Sequence, residues 1–176
     1  MCDISGATIT TYTDTQLTNK TQSSTYLSTT AIDTNKVFIG HSTSTGSYPL
    51  WAMVCSVNMA GIITVPSDTQ LSTTSSSGRC ISVKKLQTNK VFVAHSSATS
   101  YYLYGLVCTV SGTTITAGTS TQLSTSVRSA YKISTFQSAD QFVFVAHSYS
   151  SSSYYIYGMT CSIDGTTITI VSDEII

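Results

Sequence analysis

One stretch occurs three times in this chain: Val37-Phe38-Ile39-Gly40-His41-Ser42, Val91-Phe92-Val93-Ala94-His95-Ser96 and Val143-Phe144-Val145-Ala146-His147-Ser148. Each copy is followed by a Ser/Thr-rich hop, an aromatic pair and a second apolar run that ends at Cys55, Cys108 or Cys161. With Cys2 these cysteines fall 53 residues apart, so a fixed period constrains the fold before any single residue is interpreted. Four equivalent positions on stacked sheets lie about 10 Å apart, too far for disulfides, which need Cα atoms within about 7 Å. The four are therefore expected as buried, unpaired small hydrophobes, with Cys80 outside the series.

The period resolves into four strands. Strand A is the apolar run ending at Cys. An x-Gly pair follows (Ser5-Gly6, Ala60-Gly61, Ser111-Gly112, Asp164-Gly165), the signal of a tight hairpin. Strand B is β-branched, as in Thr113-Thr114-Ile115-Thr116, and leads into Asp14-Thr15-Gln16-Leu17, Asp68-Thr69-Gln70-Leu71 or Ser120-Thr121-Gln122-Leu123. Strand C runs around Leu27, Ile81 and Ile133. After a turn at Asn35, Asn89 or Asp140 comes strand D, the stretch that repeats most clearly. No segment has a helical period, so the chain is all-β.

Four-stranded antiparallel units of about 53 residues point to β-propeller-type blades. Approximate blades span 2–42, 48–96 and 101–148 of a single 1–176 repeat domain, with a partial fourth unit, a C-terminal hairpin, at 154–176. Small residues on strand A (Ala52, Gly105, Gly158) mark it as the inner strand where blades crowd an axis. Propellers have at least four blades, so three imply closure by homo-oligomerisation. A β-trefoil or β-prism is the alternative.

Composition narrows the function. Only 9 % of residues are charged and the net charge is zero, so there is no basic surface for nucleic acid. No apolar run reaches the roughly 20 residues of a membrane helix, and the first residues carry no signal-peptide pattern. No cofactor or metal motif occurs, and ligands held on successive blades sit too far apart to share an ion. No carboxylate repeats next to His in the sequence, and no enzymatic activity is expected. The candidate ligand-contacting positions are the repeated aromatics Tyr48, Tyr101 and Tyr154, then Trp51, Tyr104 and Tyr157, with the three histidines His41, His95 and His147. Rings with polar tips among hydroxyls suit a sugar shelf, whereas packing and hydrogen-bonding struts are the structural reading of the same residues. Charge-poor loops favour a neutral glycan over an anion.

The motifs Val110-Ser111-Gly112-Thr113-Thr114-Ile115-Thr116, Lys90-Val91-Phe92-Val93-Ala94-His95-Ser96 and Tyr101-Tyr102-Leu103-Tyr104-Gly105 resemble a tandem repeat of uncharacterised proteins from gut Gram-positive bacteria and their phages. The first unit departs from it, with Gly40 for Ala and Tyr48-Pro49-Leu50-Trp51 for Tyr-Tyr-Leu-Tyr. The resemblance implies a propeller-like module of a phage tail or surface appendage. The expectation is a non-enzymatic module binding glycan or host surface, assembled in a reducing cytoplasm and displayed on a virion or cell exterior. The alternative is a structural or decoration protein that assembles through open strand edges.

Overall fold

A computed structural model describes residues 2–5, 8–11, 16–17, 24–43, 48–72, 78–87, 89–97, 101–124, 130–139, 141–148 and 155–175. Its regular elements are strands throughout, and every pairing is antiparallel. A hairpin of β1 (Cys2–Ser5) and β2 (Thr8–Thr11) stands first. The first larger sheet runs β3 (Ser24–Asp33), β4 (Lys36–Thr43), β5 (Leu50–Val57) and β6 (Ile63–Thr64), with β7 (Thr69–Gln70) also on β5. The second sheet repeats this with β8 (Arg79–Gln87), β9 (Lys90–Ser96), β10 (Leu103–Ser111), β11 (Thr114–Ala117) and β12 (Thr121–Gln122). The third is β13 (Ile133–Ala139), β14 (Phe142–Ser148), β15 (Ile156–Asp164) and β16 (Thr167–Ile175).

Register is conserved between the sheets. His41 pairs with Trp51, His95 with Tyr104 and His147 with Tyr157, while Phe38 faces Val54, Phe92 faces Val107 and Phe144 faces Thr160. The turn carbonyls of Asn35, Asn89 and Gln141 each accept an amide from strand A, at Val57, Val110 and Ile163, with N···O of 2.7–2.8 Å. Gly112 and Gly165 hold φ of +64° and +61° in the A–B turns, a conformation that strains any residue with a Cβ. Strand B is interrupted in the first two sheets, at 65–68 and at 118–120, and resumes as β7 and β12.

The hydrogen-bonded sheets are out of phase with the units read from sequence. Each sheet joins the C and D strands of one unit to the A and B strands of the next. The C-terminal hairpin is therefore not a surplus fourth unit: β15–β16 completes the third sheet, and the two-stranded remainder is β1–β2. Connection length explains this. Only six residues separate β4 from β5, short enough for neighbouring antiparallel strands, whereas eight separate β7 from β8, the step between sheets.

The sheets stack face to face. Phe38, Leu50, Ala52, Val54 and Leu71 of the first meet Ile81, Val83, Val91, Val93, Leu106 and Cys108 of the second. Phe92, Ala94, Leu103, Val107 and Leu123 then meet Val143, Val145, Met159 and Cys161 of the third. Strands buried on both faces explain why strand D reads as a continuous apolar run. Closest approach follows β3, β8 and β13, so strand C, not strand A, is where the sheets converge. Small residues on strand A serve another purpose: a Cβ on Gly105 would come within 2.9 Å of the Phe92 ring, so the position clears a side chain of its own sheet.

Strand C is a sheet edge, and its free backbone groups need partners. The Val83 amide donates to Ser28 Oγ at 3.1 Å and the Lys85 amide to Thr30 Oγ1 at 3.4 Å. Farther along the stack, Ser82 Oγ and Thr135 Oγ1 lie 2.9 Å apart, and Gln137 Nε2 donates to the Leu86 carbonyl at 2.6 Å. In the first joint hydroxyls of β3 cap amides of the neighbouring edge strand; in the second a hydroxyl pair and a glutamine amide bridge the strands. Cys55, Cys108 and Cys161 are buried and unpaired as expected; the side chain of Cys2 lies outside the described residues.

Candidate functional site

The three histidines end strand D with buried side chains, at most 2 % exposed. His41 Nδ1 is 3.2 Å from Ser24 Oγ and its Nε2 is 3.1 Å from Asp68 Oδ1. A carboxylate at Asp68 fixes the proton on Nε2 and leaves Nδ1 to accept from the serine hydroxyl. A carboxylate beside His was not legible in the sequence because Asp68 lies 27 residues away, brought back by β7 pairing on β5. Ser120 and Asp173 hold the equivalent place in the other two sheets, each preceding the residue opposite Gly105 or Gly158.

The Ser24–His41–Asp68 chain has the composition of a nucleophile relay, but activation also needs a substrate cavity and oxyanion donors. None of the three clefts described below is lined by Ser24 or His41. His95 has a different environment. Its ring stacks on Tyr104 at 5.6 Å, and its nitrogens make no hydrogen bond of normal geometry to a described residue. Burial pushes its pKa down to about 4, with the Ser96 backbone offsetting part of the effect. His147 stacks on Tyr157 at 5.4 Å. Tyr157 is buried, and Trp51 and Tyr104 are half-buried as cross-strand partners of His. The histidines are buried, and each stands opposite an aromatic ring that is buried or half-buried.

Tyr48 and Tyr101 are elsewhere. Both hold positive φ, 49° and 55°, and their carbonyls accept the amides of Gly78 and Ala130 at 2.8 and 2.9 Å. Those amides begin the next sheet, so each tyrosine latches two sheets together. The Arg79 guanidinium lies over the Tyr48 ring at 4.5 Å and over the Tyr101 ring at 5.2 Å, and hydrogen-bonds the Tyr101 hydroxyl. Tyr101 stacks on Tyr131 at 4.8 Å. The result is a ladder of Tyr48, Arg79, Tyr101 and Tyr131 along one end of the stack. Tyr154, the third member of the series, lies outside the described residues.

Beside this ladder strand C of all three sheets opens a cleft of about 290 Å³, lined by Tyr26, Leu27, Cys80, Ile81, Tyr131, Lys132 and Ile133. Its lining is a repeat position sampled three times, since Leu27 and Ile133 pair with His41 and His147 and Ile81 precedes the Ser82–Ala94 pair. Lys132 is the one charged residue in the lining, and Lys132 and Arg79 are close enough to pull on the Cys80 thiol. Burial nevertheless pushes that thiol up, and Sγ donates to the Tyr131 carbonyl at 2.6 Å. Sequence leading into β3, β8 and β13 (18–23, 73–77, 125–129) contains Lys20 and Arg128 and no Asp or Glu.

A second cleft of about 360 Å³ lies at the opposite, C–D turn end, between Ile32, Asp33, Lys36, Lys85 and Gly112. Among the described residues no three His, Cys, Asp or Glu side chains group as metal ligands would. No protein-family model, curated protein or solved structure matches this chain.

Proposed function

We propose that the three sheets are blades of a propeller-type array and that the chain is a non-enzymatic module binding carbohydrate at the cleft among β3, β8 and β13. One observation carries the reading: equivalent positions of three successive edge strands converge on one concave surface, walled by Tyr26 and Tyr131 and flanked by the tyrosine–arginine ladder. Tyrosine faces take the C–H surface of a sugar ring, while hydroxyl and amine groups orient its oxygens. The charge near the cleft, Lys132 with Arg79 behind it, favours a saccharide bearing a carboxylate over the neutral ligand expected from composition. Display on a virion or cell exterior is consistent with such a role. The structural alternative draws on the exposed apolar residues of the third sheet, Phe136, Phe142 and Ile156.

The test is calorimetric titration of the full chain with matched oligosaccharides, sialyllactose against lactose and a glucuronate oligomer against its carboxyl-reduced form. The acidic member of each pair should bind at least tenfold tighter. Lys132→Ala should remove that preference, and Tyr131→Ala should weaken both members. No binding of any sugar at millimolar concentration, or binding indifferent to both substitutions, refutes the assignment.

A further inference from the structure

The two joints between sheets are built from the same positions. In the first, β8 lays Ile81 and Val83 over Gly40: a Cβ on Gly40 would meet Val83 Cγ1 at 2.9 Å and Ile81 Cγ2 at 3.4 Å. Leu50 beside this socket is 0 % exposed, and Ser28 reaches across to the Val83 amide. In the second joint Ala94 replaces Gly40, Ile133 replaces Ile81, Leu103 replaces Leu50 at 0 % exposure, and Ser82 reaches across to Thr135. The chain therefore makes one socket-and-knob joint twice.

It also carries each half once more, unmated. On the third sheet Ala146, Ile156 and Ser134 hold the socket positions and line an open groove of about 200 Å³. Ile156 there is 56 % exposed. At the other end of the stack Leu27 on β3 holds the knob position of Ile81 and Ile133 and is 64 % exposed. Ile39, Met53 and Cys55 on the face of the first sheet are already buried with Leu17, Ile63 and Val65, so the free portion of that end is the β3 side.

We infer that the third sheet of one copy docks the β3 edge of a second copy, Leu27 entering the Ala146–Ile156 groove and Ser134 reaching across to β3 as Ser28 reaches the Val83 amide and Ser82 the Thr135 hydroxyl within the chain. The contact is heterologous, head to tail, and so closes as a ring or extends as a filament. It continues an interface the molecule already forms twice, and it draws on Leu27, Lys132 and Ile133, which also line the cleft among β3, β8 and β13.

The experiment is light scattering behind a sizing column on the full chain and on Ala146→Arg and Leu27→Asp. The 18.8 kDa wild-type chain should run as a multiple of its mass. Each variant alone should run as a monomer with wild-type circular dichroism. An equimolar mixture should form a dimer and nothing larger, because it holds one intact socket and one intact knob. If Ala146→Arg does not fold, Ala146→Leu fills the groove more gently, with a hundredfold weaker association expected. A monomeric wild-type chain overturns the inference. So does a Leu27→Asp chain that still associates, which means that the third-sheet face pairs with itself.

Discussion

Acidification should reveal His95 as a buried neutral base. Its folded pKa is about 4, set by burial, against about 6.5 in the unfolded chain. Below pH 6.5 the unfolded state takes up a proton that the folded state refuses, so stability falls as pH drops from 6.5 towards 4 and is level above about 7.5. Between pH 7.5 and pH 5 the difference amounts to about 2 kcal/mol. His95→Phe keeps an aromatic ring against Tyr104 and removes the titration. Every other ionisable side chain is common to both proteins, so the comparison isolates position 95. Urea unfolding at the two pH values should therefore show the wild type losing about 2 kcal/mol more than His95→Phe. A difference below about 0.5 kcal/mol would mean that the imidazole is solvated or partnered in solution and would refute the argument.

Two further outcomes follow from packing. Gly105→Ala should cost about 1–3 kcal/mol in urea unfolding, because the new Cβ would lie 2.9 Å from the Phe92 ring and 3.0 Å from Leu123 Cδ1, both in the core. A loss below about 0.5 kcal/mol would show that the ring can move aside. With a thiol reagent at pH 8, Cys108 and Cys161, whose pKa values burial raises to about 12, should stay unmodified until the protein unfolds, while half-buried Cys80 reacts in the native state. Native-state labelling of Cys108 as fast as Cys80 would contradict the stacked sheets.

Periodicity made the strands legible. Strand D announces itself by residues apolar on both faces, the A–B turns by x-Gly, and the buried cysteines by their spacing. Which strands share a sheet was not legible, because a repeat can be cut at any phase and only loop length separates the six- or seven-residue steps inside a sheet from the eight- and ten-residue steps between sheets. Strand A was misread as innermost since a small residue has the same signature whether it admits a neighbouring backbone or, as Gly105 does, the Phe92 ring. The aromatics divided in a way that spacing cannot foretell. Trp51, Tyr104 and Tyr157 stand opposite histidines, whereas Tyr48 and Tyr101 turn outward at a positive φ that the sequence does not mark. Tyr26, Tyr131 and Lys132, the residues of the cleft, do not repeat in type at all; only their shared place on strand C could have found them.

The phase offset between repeat and sheet bears on how such a chain can change in length. Because every sheet is completed by the following unit, a duplication or deletion of one 53-residue period, cut anywhere, adds or removes one whole sheet and sets equivalent positions against each other at the new joint. Recombination between misaligned copies thereby preserves the sheet as the unit of gain or loss. Gene length becomes a dial for the number of sheets, free to drift without inventing a new core.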